Sequence, residues 1–175
     1  VNKPGAPALA ISKKAANITQ KQADANGQTA QAGDVIEYSL TTSNISNVDY
    51  KNAPIASEDL ADVLEYSTLD LNTLAGGVFD SKTNTLSWNE TPTIKARESF
   101  TKKFRVTVKS PIPSTPRPAT LNNRSSGDLV MQNVYGNSVE IKLPGTPIKT
   151  VETINGTMPK TGPGESLLVG FILMT

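Results

Sequence analysis

The stretch DVIEYSLTTS, residues 34–43, alternates apolar and polar side chains with a period of two. Its apolar face carries Ile36, Tyr38 and Leu40. Such alternation is typical of a β-strand that buries one face. SFTKKFRVTVK, residues 99–109, repeats the pattern, and only Lys102 interrupts its apolar face. These two stretches predict a protein built from β-sheet.

Three other segments carry strand signals. LVMQNVYGNSVEIKL, residues 129–143, alternates over its whole length, and LAISKKA, residues 9–15, places Leu9 and Ile11 in phase. VFDSKTNTLSW, residues 78–88, has a polar turn between two short apolar pieces, which predicts a hairpin. We therefore expect turns to separate several short strands.

One stretch has helical spacing. In SEDLADVLEY, residues 57–66, Ser57 is a candidate N-cap and the apolar residues recur at three- and four-residue intervals. The stretch predicts one or two helical turns. Residues 110–128 contain four prolines, which a strand ladder does not accommodate, and they are predicted to form a loop.

Together these signals predict an all-β fold: an immunoglobulin-like antiparallel β-sandwich of about seven strands with one short helical turn, followed by an extended C-terminal linker. We expect residues 1–8 to be a linker from an upstream region and 9–143 to be the sandwich. Residues 144–157 then read as a spacer rich in Pro and Thr.

Composition excludes several classes of function. Seventeen basic and 16 acidic residues give a net charge of +1, which provides no strong field for nucleic acid. Without Cys or His, the chain lacks thiol nucleophiles, the Ser-His-Asp triad and the usual zinc ligands. We predict no cofactor, no metal and no enzymatic activity toward other molecules.

The order of several short motifs resembles the DUF11 family, an immunoglobulin-like repeat of bacterial and archaeal surface proteins. The motifs are ISKKA (11–15), Gly33-Asp34 with Tyr38 and Asn44, Glu58-Asp59-Leu60, Leu86-Ser87-Trp88, and Met131-Gln132-Asn133. The resemblance covers about 135 residues. It implies a structural repeat on a cell surface.

The C-terminal residues resemble a sortase cell-wall sorting signal. Met158, Pro159, Lys160, Thr161 and Gly162 form an LPxTG-like pentapeptide in which Met replaces Leu. An apolar run from Leu167 follows and reads as a truncated membrane segment, because a spanning helix needs about 20 residues. The resemblance implies sortase and peptidoglycan as partners and an extracellular, wall-anchored location on a Gram-positive-type bacterium.

Related surface domains of immunoglobulin-like fold carry a Lys-Asn isopeptide bond catalysed by a carboxyl group, and this chain has candidates for it. Lys13 is in phase with the apolar residues of its strand, as are Asn133 and Asn137. Alignment to the family pattern favours Glu58 as the acid, whereas phase with Ile55 favours Asp59. In the alternative interpretation, Lys13 extends its amine to solvent, the asparagines bond to backbone, and the two acids favour a helix N-terminus.

These features predict a non-enzymatic stalk or spacer anchored to the cell wall. Two alternatives stay open: an adhesin domain that binds a ligand on a host or neighbouring cell, and the non-catalytic domain of a larger surface hydrolase. Contact with a membrane is expected only through the C-terminal segment before sorting.

Overall fold

The computed structural model describes residues 6–55, 57–113 and 127–146 and confirms the predicted antiparallel β-sandwich with one short α-helix. In these residues the chain forms strands β1 (Leu9–Asn17), β2 (Val35–Asn44), β3 (Glu58–Asp59), β4 (Ser67–Asp70), β5 (Val78–Asp80), β6 (Thr85–Ser87), β7 (Ser99–Val108), β8 (Val130–Tyr135) and β9 (Asn137–Lys142). Helix α1 spans Ala61–Tyr66, and a 3-10 turn spans Leu71–Thr73.

The largest sheet has the strand order β1-β2-β7-β4, and every neighbouring pair is antiparallel. The two long alternating stretches are its central strands, and Tyr38 pairs with Phe104 in their register. These two rings stack with centroids 5.1 Å apart, inside the core. Burying such apolar faces supplies the main driving force for the fold.

Two smaller sheets complete the sandwich. One has the order β3-β6-β5, and the other is the β8-β9 pair. Helix α1 contacts β8, while β1 contacts both β8 and β9. Leu60, Val63, Leu86, Met131 and Ile141 are fully buried in the shared core. The first and last parts of the described chain are therefore neighbours in space.

The stretch 129–143 does not run as one strand. It reverses at Gly136, whose φ is +74°, so that Met131 pairs with Ile141 in an antiparallel hairpin. Glycine adopts this left-handed conformation without a Cβ clash. The register pairs odd-numbered residues with one another, so the side chains expected on the buried face still share one face after the reversal. Asn137, next to the turn, is the exception and is exposed.

Two local predictions were wrong in detail. The helix begins at Ala61 and has no cap from Ser57, because Glu58 and Asp59 pair with β6 as a strand. Burial and pairing of this segment override its helix-start signal. In β1, the phase of Leu9 and Ile11 indicated an apolar face, but Ile11 is 41% exposed, because β1 is an edge strand whose buried face begins at Lys13.

Several predicted features lie outside the described residues. They are residues 1–5 of the upstream linker, residues 114–126 of the proline-rich loop, and residues 147–175, which include most of the spacer and the whole sorting signal. Within the described ranges, no helix has the length and apolar character needed to span a membrane.

Candidate functional site

The side chain of Lys13 is enclosed by the core. The residue is 2% exposed because it shares the inward phase of Ala15 on β1. Its Nζ lies 4.8 Å from the ring centroid of Tyr38 and 5.5 Å from that of Phe104. The faces of aromatic rings attract a cation and partly replace the stabilisation that it loses when water is removed. Sequence reasoning did not assign Tyr38 and Phe104 to this site, although their phase marked both as inward-facing.

Glu58 meets this lysine from the opposite sheet. It is fully buried on β3. Its Oε2 accepts a hydrogen bond from Lys13 Nζ, and the two groups form an ion pair. The strand pairs Glu58 with the buried Leu86, and this pairing turns the carboxyl group inward. Its other oxygen, Oε1, has no hydrogen-bond partner in the described part of the chain. A buried ion pair with an unsatisfied oxygen is a costly arrangement to retain for stability alone.

Asn133 provides the third side chain of the cluster. It lies on β8, is 4% exposed, and donates from Nδ2 to the carbonyl oxygen of Asp59 at 3.0 Å. Its side chain also lies close enough to the Glu58 carboxyl group to lower the pKa of that group. Three strands that are far apart in sequence thus bring Lys13, Glu58 and Asn133 together.

Burial brings the proton affinities of the acid and the amine closer to each other. Loss of solvent lowers the pKa of Lys13 to about 8, although Glu58 partly offsets this change. Loss of solvent also raises the pKa of Glu58, and Lys13 partly offsets that shift. The state with a neutral amine and a protonated carboxyl group therefore lies closer in free energy to the charged ion pair than it would in water. A neutral amine is a nucleophile, and a protonated carboxyl group is a general acid.

The two alternate residues have other positions. Asp59 points to the opposite face of β3, is exposed, and accepts a hydrogen bond from the Ala61 N–H at 2.9 Å. Asn137 is also exposed, and its amide bonds to the backbone of Lys13, not to the amine. Of the two acids considered from the sequence, Glu58 is the one that contacts Lys13, and of the two asparagines, Asn133 is the one whose side chain lies beside Glu58.

A second inward-phase lysine provides a useful contrast. Lys102 donates to the carbonyl oxygen of Ala75 at 2.7 Å and to Glu90 Oε1 at 2.6 Å. The Glu90 side chain is half exposed, so this pair stays in contact with solvent. Of these two lysine-glutamate pairs, only Lys13 with Glu58 has both side chains buried.

Two motif residues of the family resemblance have structural roles. Asp34 Oδ2 accepts from Asn17 Nδ2 at 2.8 Å, from Gln20 Nε2 at 2.5 Å and from the Gln31 N–H at 2.8 Å. These bonds tie the long β1-β2 connection to the sheet. Asn44 likewise donates to backbone carbonyl oxygens of two neighbouring loops. In the described ranges, no group of acidic side chains has the arrangement needed to hold a metal ion.

Comparison with known proteins adds no functional assignment. No family model matches the chain, and no curated protein matches it. Two solved structures of a GH20 exo-β-N-acetylglucosaminidase from Vibrio harveyi align with it. An inactive mutant has 12% identity and a TM-score of 0.33, covering 82% of this chain and 19% of that one. The complex with N-acetylglucosamine has 10% identity and a TM-score of 0.33, with 81% and 19% coverage.

The chain thus spans about a fifth of the length of those hydrolases. Similarity at this level supports no argument about activity or ligand. The resemblance to DUF11 stays a prediction.

Proposed function

We propose that this domain is a load-bearing module of an extracellular surface protein, closed by an isopeptide bond between Lys13 Nζ and Asn133 Cγ. The observation that carries the proposal is the buried contact of Lys13 with Glu58, with Asn133 beside the same carboxyl group. Amine, acid and carboxamide are the three groups that this reaction needs. The aromatic rings of Tyr38 and Phe104 help to keep water out.

The reaction is balanced without any external reagent. A proton passes from the Lys13 ammonium to Glu58, which leaves a neutral amine and a protonated acid. The amine attacks Asn133 Cγ while the acid donates a hydrogen bond to the carboxamide oxygen and stabilises the developing negative charge. The attacking nitrogen gives up one proton, the departing Nδ2 takes it up, the C–N bond to Nδ2 breaks, and one ammonia leaves.

The position of the bond explains why it would serve a mechanical function. It would join β1, near the start of the domain, to β8, near its end. Of the sandwich, only residues 9–12 and 134–143 would lie outside the closed ring. A pull on the two ends would then load covalent bonds, whereas the hydrogen-bond ladders inside the ring would carry little force.

We further propose that the module is anchored to the cell wall through the MPKTG sequence, residues 158–162. The support is the placement of this pentapeptide after a polar spacer and before an apolar run. A sortase would cleave between Thr161 and Gly162 and join the Thr161 carbonyl to an amine of peptidoglycan. A covalently closed domain on a wall anchor is suited to hold a distal region away from the cell.

Mass spectrometry of the purified chain tests the crosslink. We expect a mass lower than the sequence sum by one ammonia, and a proteolytic fragment in which peptides containing Lys13 and Asn133 are joined. The joined fragment is essential, because succinimide formation at an Asn-Gly pair such as Asn26-Gly27 also releases ammonia. Separate peptides from a fully folded sample would refute the crosslink.

Single substitutions assign the roles. Lys13→Arg, Glu58→Gln and Asn133→Ala should each abolish the joined fragment. Lys14→Arg and Asp59→Asn are matched controls, because each changes an exposed neighbour on the same strand, and both should retain it. A joined fragment that persists in Glu58→Gln would remove the carboxyl group from the mechanism.

A further inference from the structure

The side chain of Asn137 is bonded to the backbone of the lysine in the cluster. Its Oδ1 accepts from the Lys13 N–H at 2.7 Å, and its Nδ2 donates to the Lys13 carbonyl oxygen at 3.0 Å. One carboxamide therefore pairs with both backbone groups of a single residue on edge strand β1. In this way it occupies the place that a residue of a further strand would take.

The residue before it makes an equally close contact. A Cβ built on Gly136 would lie 2.0 Å from the carbonyl oxygen of Ile11, a distance that no side chain tolerates. The turn between β8 and β9 thus rests directly on the backbone of β1. Gly136 and Asn137 dock the hairpin at the backbone of two alternate residues of β1, Ile11 and Lys13.

This docking sets the separation of the two reacting groups. Asn133 lies on the same hairpin, four residues before Asn137, so a shift of the turn along β1 would move its carboxamide relative to the amine of Lys13. Covalent reactions within a protein require reacting atoms about 3–3.5 Å apart, and an error of about 1 Å can slow a reaction by about 100-fold.

We infer that Asn137 is a positioning residue for the Lys13-Asn133 crosslink, an inference that rests on the proposed function. It holds the backbone of the nucleophile against the hairpin that carries the electrophile. Asn137 itself neither reacts nor exchanges a proton. Its removal should therefore slow the reaction by the same factor at every pH, since the ionisation of Lys13 and Glu58 is unchanged.

Refolding kinetics of the full chain test this inference. Unreacted chain is isolated from inclusion bodies in urea, its mass is checked against the sequence sum, and dilution starts folding. Fluorescence of Trp88, the single tryptophan and a buried one, follows folding. Samples quenched in acid give the crosslinked fraction by mass. The rate constant is taken after the fluorescence change is complete, so that it refers to folded molecules.

We expect Asn137→Ala to fold but to crosslink about 10- to 100-fold more slowly than the unsubstituted chain. Asn137→Asp should recover part of the rate, because its carboxylate still accepts from the Lys13 N–H. Ser138→Ala, an exposed neighbour on β9, should react at the normal rate.

Equal crosslinking rates in folded Asn137→Ala and unsubstituted chain would overturn the positioning role while leaving the crosslink intact. A joined fragment that contains residue 137 in place of residue 133 would also overturn it, since Asn137 would then be the electrophile. If the unsubstituted chain folds and never loses ammonia, the proposed function fails, and the positioning role fails with it.

Discussion

Replacing Asn133 by Ala should separate the contribution of the crosslink from that of the ion pair beneath it. The variant keeps Lys13 and Glu58 in contact, so no unpaired charge is created in the core. It removes the bond to Lys13. The 3.0 Å hydrogen bond from Asn133 Nδ2 to the Asp59 carbonyl oxygen does not count in this comparison, because Nδ2 has already left as ammonia in the crosslinked chain. The free energy of unfolding should therefore fall by the contribution of the crosslink.

The contribution of the crosslink comes from the ring that it closes. From residue 13 to residue 133 the ring contains about 120 residues, and closing a ring of this size restricts the unfolded chain by about 5 kcal/mol in the entropic model used for disulfides. A loss of about 5 kcal/mol is comparable to the whole stability of many domains.

Urea unfolding monitored by Trp88 fluorescence measures the difference. With an m-value of about 2 kcal/mol/M, the midpoint of Asn133→Ala should fall by about 2.5 M relative to the unsubstituted chain. Its m-value should also rise, because an open chain exposes more surface on unfolding. Val134→Ala is the matched control, since Val134 is the next residue on β8 and is 65% exposed. A loss of only about 1 kcal/mol in Asn133→Ala would refute the reasoning, because it is far below the effect of closing a ring of this size.

Four further outcomes are expected. In Asn133→Ala, Lys13 is a free amine with a folded pKa of about 8 against an ordinary value of 10.5, so the unfolded chain binds more protons between these values. Its stability should rise with pH across that window, relative to the crosslinked chain, and parallel urea midpoints would contradict this. Tyr38→Phe removes a buried hydroxyl group that has no hydrogen-bond partner in the described residues, so thermal unfolding should show unchanged or higher stability. Asp34→Ala should cost about 3 kcal/mol in urea unfolding, because three donors lose their shared acceptor; a loss below about 1 kcal/mol would argue against that role. A housekeeping sortase with an amine nucleophile should cleave the full chain after Thr161. A Thr161→Ala variant that reacts equally well would show that residues 158–162 are not the site of cleavage.

The dominant features of the fold could be predicted because they are local. In residues 34–43 and 99–109, a period of two decides which side chains share a face, and burial of Tyr38 and Phe104 follows that period. The same rule predicts that Lys13 and Asn133 face inward, and both are buried. A polar residue in phase with apolar neighbours is thus a strong local signal, since its burial needs a partner.

The choice between Glu58 and Asp59 depended on contacts that are distant in sequence. Residues 57–66 have helical spacing throughout, and only pairing with β6 makes the first of them a strand that turns Glu58 inward. For Asn137, the alternation of residues 129–143 continued across Gly136, and the hairpin reversal that exposes this residue left no mark in the period.

The sequence by itself determined the faces of the strands, and hence the residue types that enter the core. Only the tertiary structure decided which faces meet, which acid reaches Lys13, and which asparagine lies beside that acid. The physical reason is that alternation arises from the geometry of a single strand, whereas register and sheet packing arise from burial summed over segments up to 124 residues apart.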